Sequence, residues 1–299
     1  MSWYKDEKDL WTDLIDTVST AKSISPLMVE KDTIQSLFLQ KLTETNTSLV
    51  FKGGTSLSKA YSLINRFSED IDVAINVKPS EAARKQIKND VISISESIGL
   101  RLTNPEAIMS RRDFNRYVFE YDSLFQSAPA NIIVETSFHI LSYPVNIHEV
   151  NSIIGKYCSE KNLVIPTVFS AACIEMPVQS LERTLIDKTF AVCDYYLKNN
   201  PERNSRHLYD IAKLLPYVDI SDGFNELVSK VRQDRAKSIS NPSASPEYNI
   251  SKLIEEIISK DFYRRDYEEI TERLLYENVS YADAVKDGIV KVSELDVFL

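Results

Sequence analysis

The stretch that most restricts this chain is Phe51-Lys-Gly-Gly-Thr-Ser-Leu-Ser-Lys59, followed shortly by Arg66-Phe-Ser-Glu-Asp-Ile-Asp72. The apolar run Ser48–Lys52 reads as a strand and ends on Gly53-Gly54, a pair that lets the chain turn sharply and lets backbone N–H groups approach a ligand. From Thr55 to Leu63 the pattern suits a helix whose first turn would carry the hydroxyls of Thr55, Ser56 and Ser58. Amide groups at such a turn favour negative charge. The spacing is not that of a P-loop, which needs G-x-x-x-x-G-K-[ST].

Ile71–Ile75 reads as the next strand. Asp70 and Asp72 stand two apart on it, so both carboxylates project from one face. Adjacent carboxylates repel unless a cation sits between them. A hard divalent ion such as Mg²⁺ suits that place, since it takes oxygen ligands and shares its remaining positions with phosphates. Glu135 stands in the middle of Ile132-Ile-Val-Glu-Thr-Ser-Phe138, a charge in an apolar strand that is costly when buried without compensation. Each piece alone has an ordinary explanation: a turn that binds nothing, a solvated strand edge, a wet-face glutamate. Together, in this order, they point to phosphate and metal chemistry.

These residues closely resemble the AbiEii/AbiGii toxin family of nucleotidyltransferase-like proteins, within the DNA polymerase β-like superfamily. The resemblance runs from Glu30-Lys31-Asp32 through Glu182–Asp194 to Ser205-Arg-His-Leu-Tyr-Asp210, and more faintly from Tyr263 onward. It implies an α+β fold, with a mixed-sheet nucleotidyltransferase lobe over 1–165, including N-terminal helices, and an all-helical C-terminal lobe over 166–299. It also implies transfer of a nucleotide from an NTP, with Mg²⁺ or Mn²⁺ bound by Asp70, Asp72 and Glu135. The nucleotide-binding set is then Lys52, Gly53, Gly54, Thr55, Ser56, Lys59 and Arg66, with Gly54 and Ser56 on the triphosphate. Lys188 and Asp210 match catalytic positions, Lys188 as a phosphate contact and Asp210 as a partner that could orient Arg206. Glu135 departs from the Asp of many polymerase β-like enzymes, keeping the charge but lengthening the reach. The partners implied are an antitoxin encoded nearby and an RNA acceptor, the tRNA 3′ end being preferred. Transfer to a protein or small-molecule hydroxyl, or a non-catalytic nucleotide- or RNA-binding module, remain alternatives.

The net charge of −9 over 299 residues argues at first against a polyanionic partner. Its distribution removes the objection. Residues 1–16 hold 2 basic and 5 acidic side chains and residues 266–299 hold 3 and 9, so the stretch between carries 30 of each sign. Within it lie Arg111, Arg112 and Arg116, then Lys230, Arg232, Arg235 and Lys237, then Lys260, Arg264 and Arg265 beside Phe262 and Tyr263. Cations among aromatic rings are the composition of RNA-contacting surfaces, and Arg111, Arg112, Arg264 and Arg265 are the candidate contacts. Solvated helix faces would look the same.

The remaining signals are bland. Cys158, Cys173 and Cys193 have no metal-site spacing, fit a reducing compartment and read as small buried hydrophobes. His139 and His148 lack a nearby third ligand. The N-terminus has no signal-peptide core and no run is long enough to span a bilayer, so a cytoplasmic protein is expected. Strand character is expected at 101–109, 116–121 and 131–140, and helical character at 5–44 (interrupted at Ser25-Pro26), at 81–97 and from about 178 onward.

Overall fold

The computed structural model describes residues 3–46, 48–109, 113–166 and 168–298. By internal contacts the chain divides into two compact units. The first holds Met1–Ser62 and Ser68–Gln179, and the second holds Leu63–Phe67 and Ser180–Leu299.

The first unit opens with α1 (Lys8–Lys22) and α2 (Pro26–Thr45). Pro26 occupies the first turn of α2, where its missing N–H costs nothing, so the helical stretch breaks at Ser25-Pro26 as the sequence predicts. There follow β1 (Leu49–Lys52), α3 (Gly53–Lys59), β2 (Asp70–Ile75), α4 (Glu81–Ser97), β3 (Arg101–Leu102), α5 (Pro105–Met109), β4 (Phe114–Tyr121), β5 (Ala130–Ser137), β6 (Val145–Asn151), α6 (Ile153–Glu160) and β7 (Cys173–Gln179). The Ser80 side chain caps α4 by accepting from the Ala83 N–H, and that of Ser152 caps α6 by accepting from the Gly155 N–H.

The seven strands form one mixed sheet in the order β3-β4-β5-β2-β1-β7-β6. β2 runs antiparallel to β1 and parallel to β5. Alternate residues, among them Phe51, Ile71, Val73, Tyr117, Phe119, Ile132 and Val134, join Ile34, Phe38 and Leu39 of α2 and Ile87, Val91 and Ile94 of α4 in the main core. Each such side chain, fully buried, stabilises the fold by about 1.5–3 kcal/mol. The intervening residues of the same strands, including Asp70, Asp72 and Glu135, therefore project from the opposite face. A smaller core joins Trp11, Ile15 and Val18 of α1 to Ile154, Cys158 and Phe169.

Two sequence expectations need correction. The segment 101–109 is a strand only at Arg101–Leu102, because Pro105 starts a helical turn. Cys173 is exposed at the start of β7, whereas Cys158 and Cys193 are buried as expected. β6 and β7 themselves escape pattern reading. β6 carries Asn146, His148 and Glu149 at an edge, and β7 contains Pro177.

The second unit is helical, with α7 (Leu181–Leu197), α8 (Arg206–Leu214), α9 (Asp222–Arg235) and α10 (Ile250–Ser259), then short helical turns to Phe298. Leu185, Ile186 and Phe190 of α7, Leu208 and Ile211 of α8, Val228 and Val231 of α9, and Ile254 and Ile257 of α10 are buried. Residues 63–67 lie before β2 in sequence but pack with these helices. Arg66 forms an antiparallel bridge with Leu275, the Phe67 N–H donates to the Leu274 carbonyl (3.0 Å) and the Tyr276 N–H to the Asn65 carbonyl (2.8 Å). No helix among the described residues is long and apolar enough to cross a membrane.

Candidate active site: a charged rung across four strands

Strand register places four charged residues in one row across the sheet. Lys52 of β1 pairs with Asp72 of β2, Asp72 with Glu135 of β5, and Glu135 with Arg116 of β4. Directly opposed residues project from the same face, so the row reads plus, minus, minus, plus, with Asp70 beside it. The Arg116 guanidinium lies 3.6 Å from Glu135, and its side chain is about half exposed, which weakens its hold. Burial, the Asp72 and Asp70 charges and a hydrogen bond with Asp72 push the Glu135 carboxyl up to about 8, against the pull of Arg116. Three carboxylates thus crowd one patch, and the like charges of Asp72 and Asp70 make Glu135 the one that holds its proton.

The backbone makes room for this crowding. Gly53 adopts a left-handed φ of 77°, and a Cβ there would fall 2.0 Å from Oδ2 of Asp72. Only glycine fits that cradle. Among the described residues no group of three or more His, Cys, Asp or Glu side chains is placed to hold a metal ion as folded. The open, all-oxygen donor set on one face fits a hard divalent ion that completes its shell with phosphate oxygens or water. The residues present therefore fit such an ion.

The turn itself differs from its sequence expectation. α3 begins at Gly53 and ends at Lys59, short of Leu63. The hydroxyls expected to face a ligand are instead bonded within the chain. Thr55 donates to the Asp70 carbonyl and is hydrogen-bonded with the Ser68 hydroxyl (2.9 Å), Ser56 donates to the Gly53 carbonyl (2.9 Å), and Ser58 to the Thr55 carbonyl (3.0 Å). Thr55 thereby ties α3 to the start of β2. Lys59 is buried, and its ammonium donates to Oδ1 (2.5 Å) and the carbonyl (3.1 Å) of Asp32 and to Ser36 Oγ (2.8 Å). Those bonds use all three of its donors. Lys59 therefore anchors α3 to α2.

A second ionic cluster lies inside the helical unit. Asp210 of α8 is fully buried and accepts Nε and Nη2 of Arg66, each at 2.7 Å, and Nζ of Lys188 at 2.6 Å. Burial alone would raise its carboxyl, but the Arg66 and Lys188 charges and hydrogen bonds outweigh that and hold it well below the usual carboxylate range. Arg66 also donates to the Phe67 carbonyl (2.9 Å). Two partners distant in sequence, Arg66 and Lys188, thus hold Asp210. Burial, with Lys188 and Arg206 nearby, pushes the neighbouring His207 well below its ordinary range. Beside the cluster the Tyr209 hydroxyl bonds Glu277, which Lys213 also engages (2.8 Å). Glu277 has no motif that would have revealed it in the sequence.

Of the candidate RNA contacts, Arg111 and Arg112 lie outside the described residues. Arg264 is engaged by Asp261 (3.0 Å) and Glu268 (3.5 Å) and stacks over the Tyr281 ring (4.8 Å), while Arg265 pairs with Glu269 (3.0 Å) on the surface. Tyr263 is core, its hydroxyl donating to the Val192 carbonyl (2.7 Å), whereas Phe262 stays half-buried.

Comparison with known proteins follows this geometry. Residues 37–287 match the family model described as nucleotidyl transferase AbiEii toxin, type IV toxin–antitoxin system. Among solved structures, MenT4, a nucleotidyltransferase toxin of Mycobacterium tuberculosis, is similar with a TM-score of 0.62 at 15% identity, over 95% of this chain and 89% of that one. A candidate nucleotidyltransferase of H. pylori is similar with a TM-score of 0.50 at 17% identity, over 91% of this chain and 95% of that one. At those identities the likeness speaks for the fold. No curated protein matches the chain.

Proposed function

This chain belongs to the AbiEii nucleotidyl transferase toxin family, and we propose that it blocks growth by transferring a nucleotide from an NTP to an RNA, the tRNA 3′ end, with Mg²⁺ or Mn²⁺ as cofactor. The observation that carries the reading is the row Lys52–Asp72–Glu135–Arg116 with Asp70 beside it. Asp70, Asp72 and Glu135 would hold the divalent ion. When bound, the ion supplies neutralising charge for the triphosphate and makes the acceptor hydroxyl more acidic.

The chain's own groups divide the remaining work. Lys52 and the backbone at Gly53-Gly54 meet the phosphates, the glycines permitting close approach. Glu135, whose carboxyl is raised to about 8 by its neighbours in the metal-free chain, would ionise once an ion offsets those charges, and as a carboxylate could take the proton from the acceptor hydroxyl. The acceptor oxygen then bonds to the α-phosphorus as the bond to the β-phosphate breaks, and pyrophosphate leaves. In the helical unit Asp210 is the positioning residue, fixing the Lys188 ammonium and the Arg66 guanidinium. Support for an RNA acceptor comes from the sequence of that unit, where basic residues lie among aromatic ones. The type IV toxin–antitoxin description of the family supports a cognate antitoxin as partner.

The test is incubation of the purified protein with α-labelled NTPs, Mg²⁺ and total cellular RNA. Label should enter RNA of tRNA size, and both EDTA and Asp72→Asn should abolish it, the latter by about a thousandfold or more, equivalent to several kcal/mol of transition-state stabilisation. Label on protein or a small molecule would replace the acceptor. Growth arrest that survives Asp72→Asn would overturn the enzymatic reading.

A further inference from the structure

The helical unit carries an open groove of about 690 Å³ that no part of the catalytic reading uses. Its walls come from the end of α7, from α10 and its approach, and from the turn after α10. Three half-buried aromatic side chains, Tyr196, Tyr248 and Phe262, line it. Phe262 stands edge-on to Tyr196, with ring centres 5.1 Å apart and planes at 90°.

The charges of the groove sort into a closed set and an open set. Lys260 donates to Glu256 (3.1 Å) and to the Tyr196 hydroxyl, which in turn donates to Glu256 (2.7 Å). That trio is self-compensated and fixes the Tyr196 ring. Lys252 and Glu247 are exposed on the same walls, and neither has an ion-pair partner among the described residues. With Lys260 lying over the Tyr196 ring, the groove offers the aromatic side chains of Tyr248 and Phe262, one ammonium and one carboxylate.

We infer that this groove binds a single-stranded segment of RNA, its bases stacking on Tyr248 and Phe262, a phosphate meeting Lys252 and base amino groups meeting Glu247. The inference rests on the proposed RNA acceptor and names where part of that acceptor is held. The chemistry selects the class. Stacking on Tyr or Phe accepts any base. A single ammonium suits one phosphate, whereas the even charge balance disfavours a triphosphate or a continuous duplex backbone. It also reassigns the third basic cluster of the sequence. Lys260 and Phe262 shape the groove, while Arg264 and Arg265 are occupied by acidic neighbours on the surface.

Fluorescence anisotropy with a labelled single-stranded RNA of tRNA 3′-end sequence, without NTP, tests this on the full chain. Phe262→Ala and Tyr248→Ala should each raise Kd about tenfold, in keeping with the loss of one stacked base. Lys252→Glu, an exposed change that leaves the packing alone, should raise Kd at least severalfold and flatten its salt dependence. Asp72→Asn should bind this RNA as the wild type does while failing to transfer nucleotide, which separates the groove from the catalytic reading. Unchanged affinity in Lys252→Glu and both aromatic variants would overturn the inference even if transfer to RNA is confirmed. Wild-type protein that binds free NTP or the antitoxin through these residues, and not the RNA, would overturn it as well.

Discussion

The two ionic clusters of this molecule are built from the same kinds of residue and have opposite balances. Around Asp210, one buried carboxylate meets two buried cations through three charge-assisted hydrogen bonds, and the aspartate stays ionised far into the acid range. Around Asp72, three carboxylates share Lys52 and a half-exposed Arg116, and one of them is pushed to about 8. The first cluster is complete as folded and holds side chains in place. In the second, like charges crowd one another and raise one carboxyl, and that repulsion is what a divalent ion can offset. Acidic residues in a pocket therefore say little about metal chemistry until their compensation is counted.

The sharpest way to break this comparison is to remove the carboxylate from the complete cluster. Asp210→Asn keeps the shape but leaves Arg66 and Lys188 buried against a neutral amide, so unfolding stability should fall by about 3–5 kcal/mol in urea titration. A change below about 1 kcal/mol would show the cluster to be more solvated than its burial indicates.

A smaller effect, of opposite sign, separates the clusters by pH. The Glu135 carboxyl is raised in the folded chain from 4.5 to about 8, so the folded state binds the extra proton between those values. Its contribution is full below about pH 4.5 and is lost as pH rises through 8. Asp210 is depressed below 3.8, so its contribution is present above that value and lost only as pH falls toward its native pKa. In metal-free protein Glu135→Gln should raise the melting temperature by about 2–6 °C at pH 8.5 and change it little at pH 5. An equal shift at both pH values would contradict the crowding of the carboxylates.

The smallest effect belongs to the surface. Arg265→Ala removes an exposed i,i+4 pair and should change stability by no more than about 0.5 kcal/mol in the same titration.

Much of the candidate site was legible in the sequence because its signals are local. The glycine turn, the Asp-x-Asp alternation and the charge inside an apolar strand each depend on period and neighbours within a few residues. What stayed hidden depends on partners far away in the chain. Strand register alone joins Lys52 to Asp72 and Arg116 to Glu135, and no local pattern states a register. Lys59 looks like a phosphate ligand beside the turn, yet Asp32 and Ser36 of α2 consume its ammonium. Arg66 sits next to the carboxylate motif in sequence, but residues 63–67 fold with the helices and Arg66 is claimed by Asp210. The helical periods of α7 and α8 were readable, whereas β7 went unread: Ile174, Met176 and Val178 alternate with Glu175 and Pro177 there, but a proline in the run argues against a strand.

Titration with Mn²⁺, followed by its EPR signal at pH 7 in the presence of a non-hydrolysable NTP analogue, tests the central contrast most directly. The account predicts that the wild type binds Mn²⁺, that Asp72→Asn loses this binding by about a hundredfold or more, and that Arg265→Ala retains it. Mn²⁺ affinity that is indifferent to Asp72→Asn would contradict the assignment of the charged rung as the metal-binding, catalytic face.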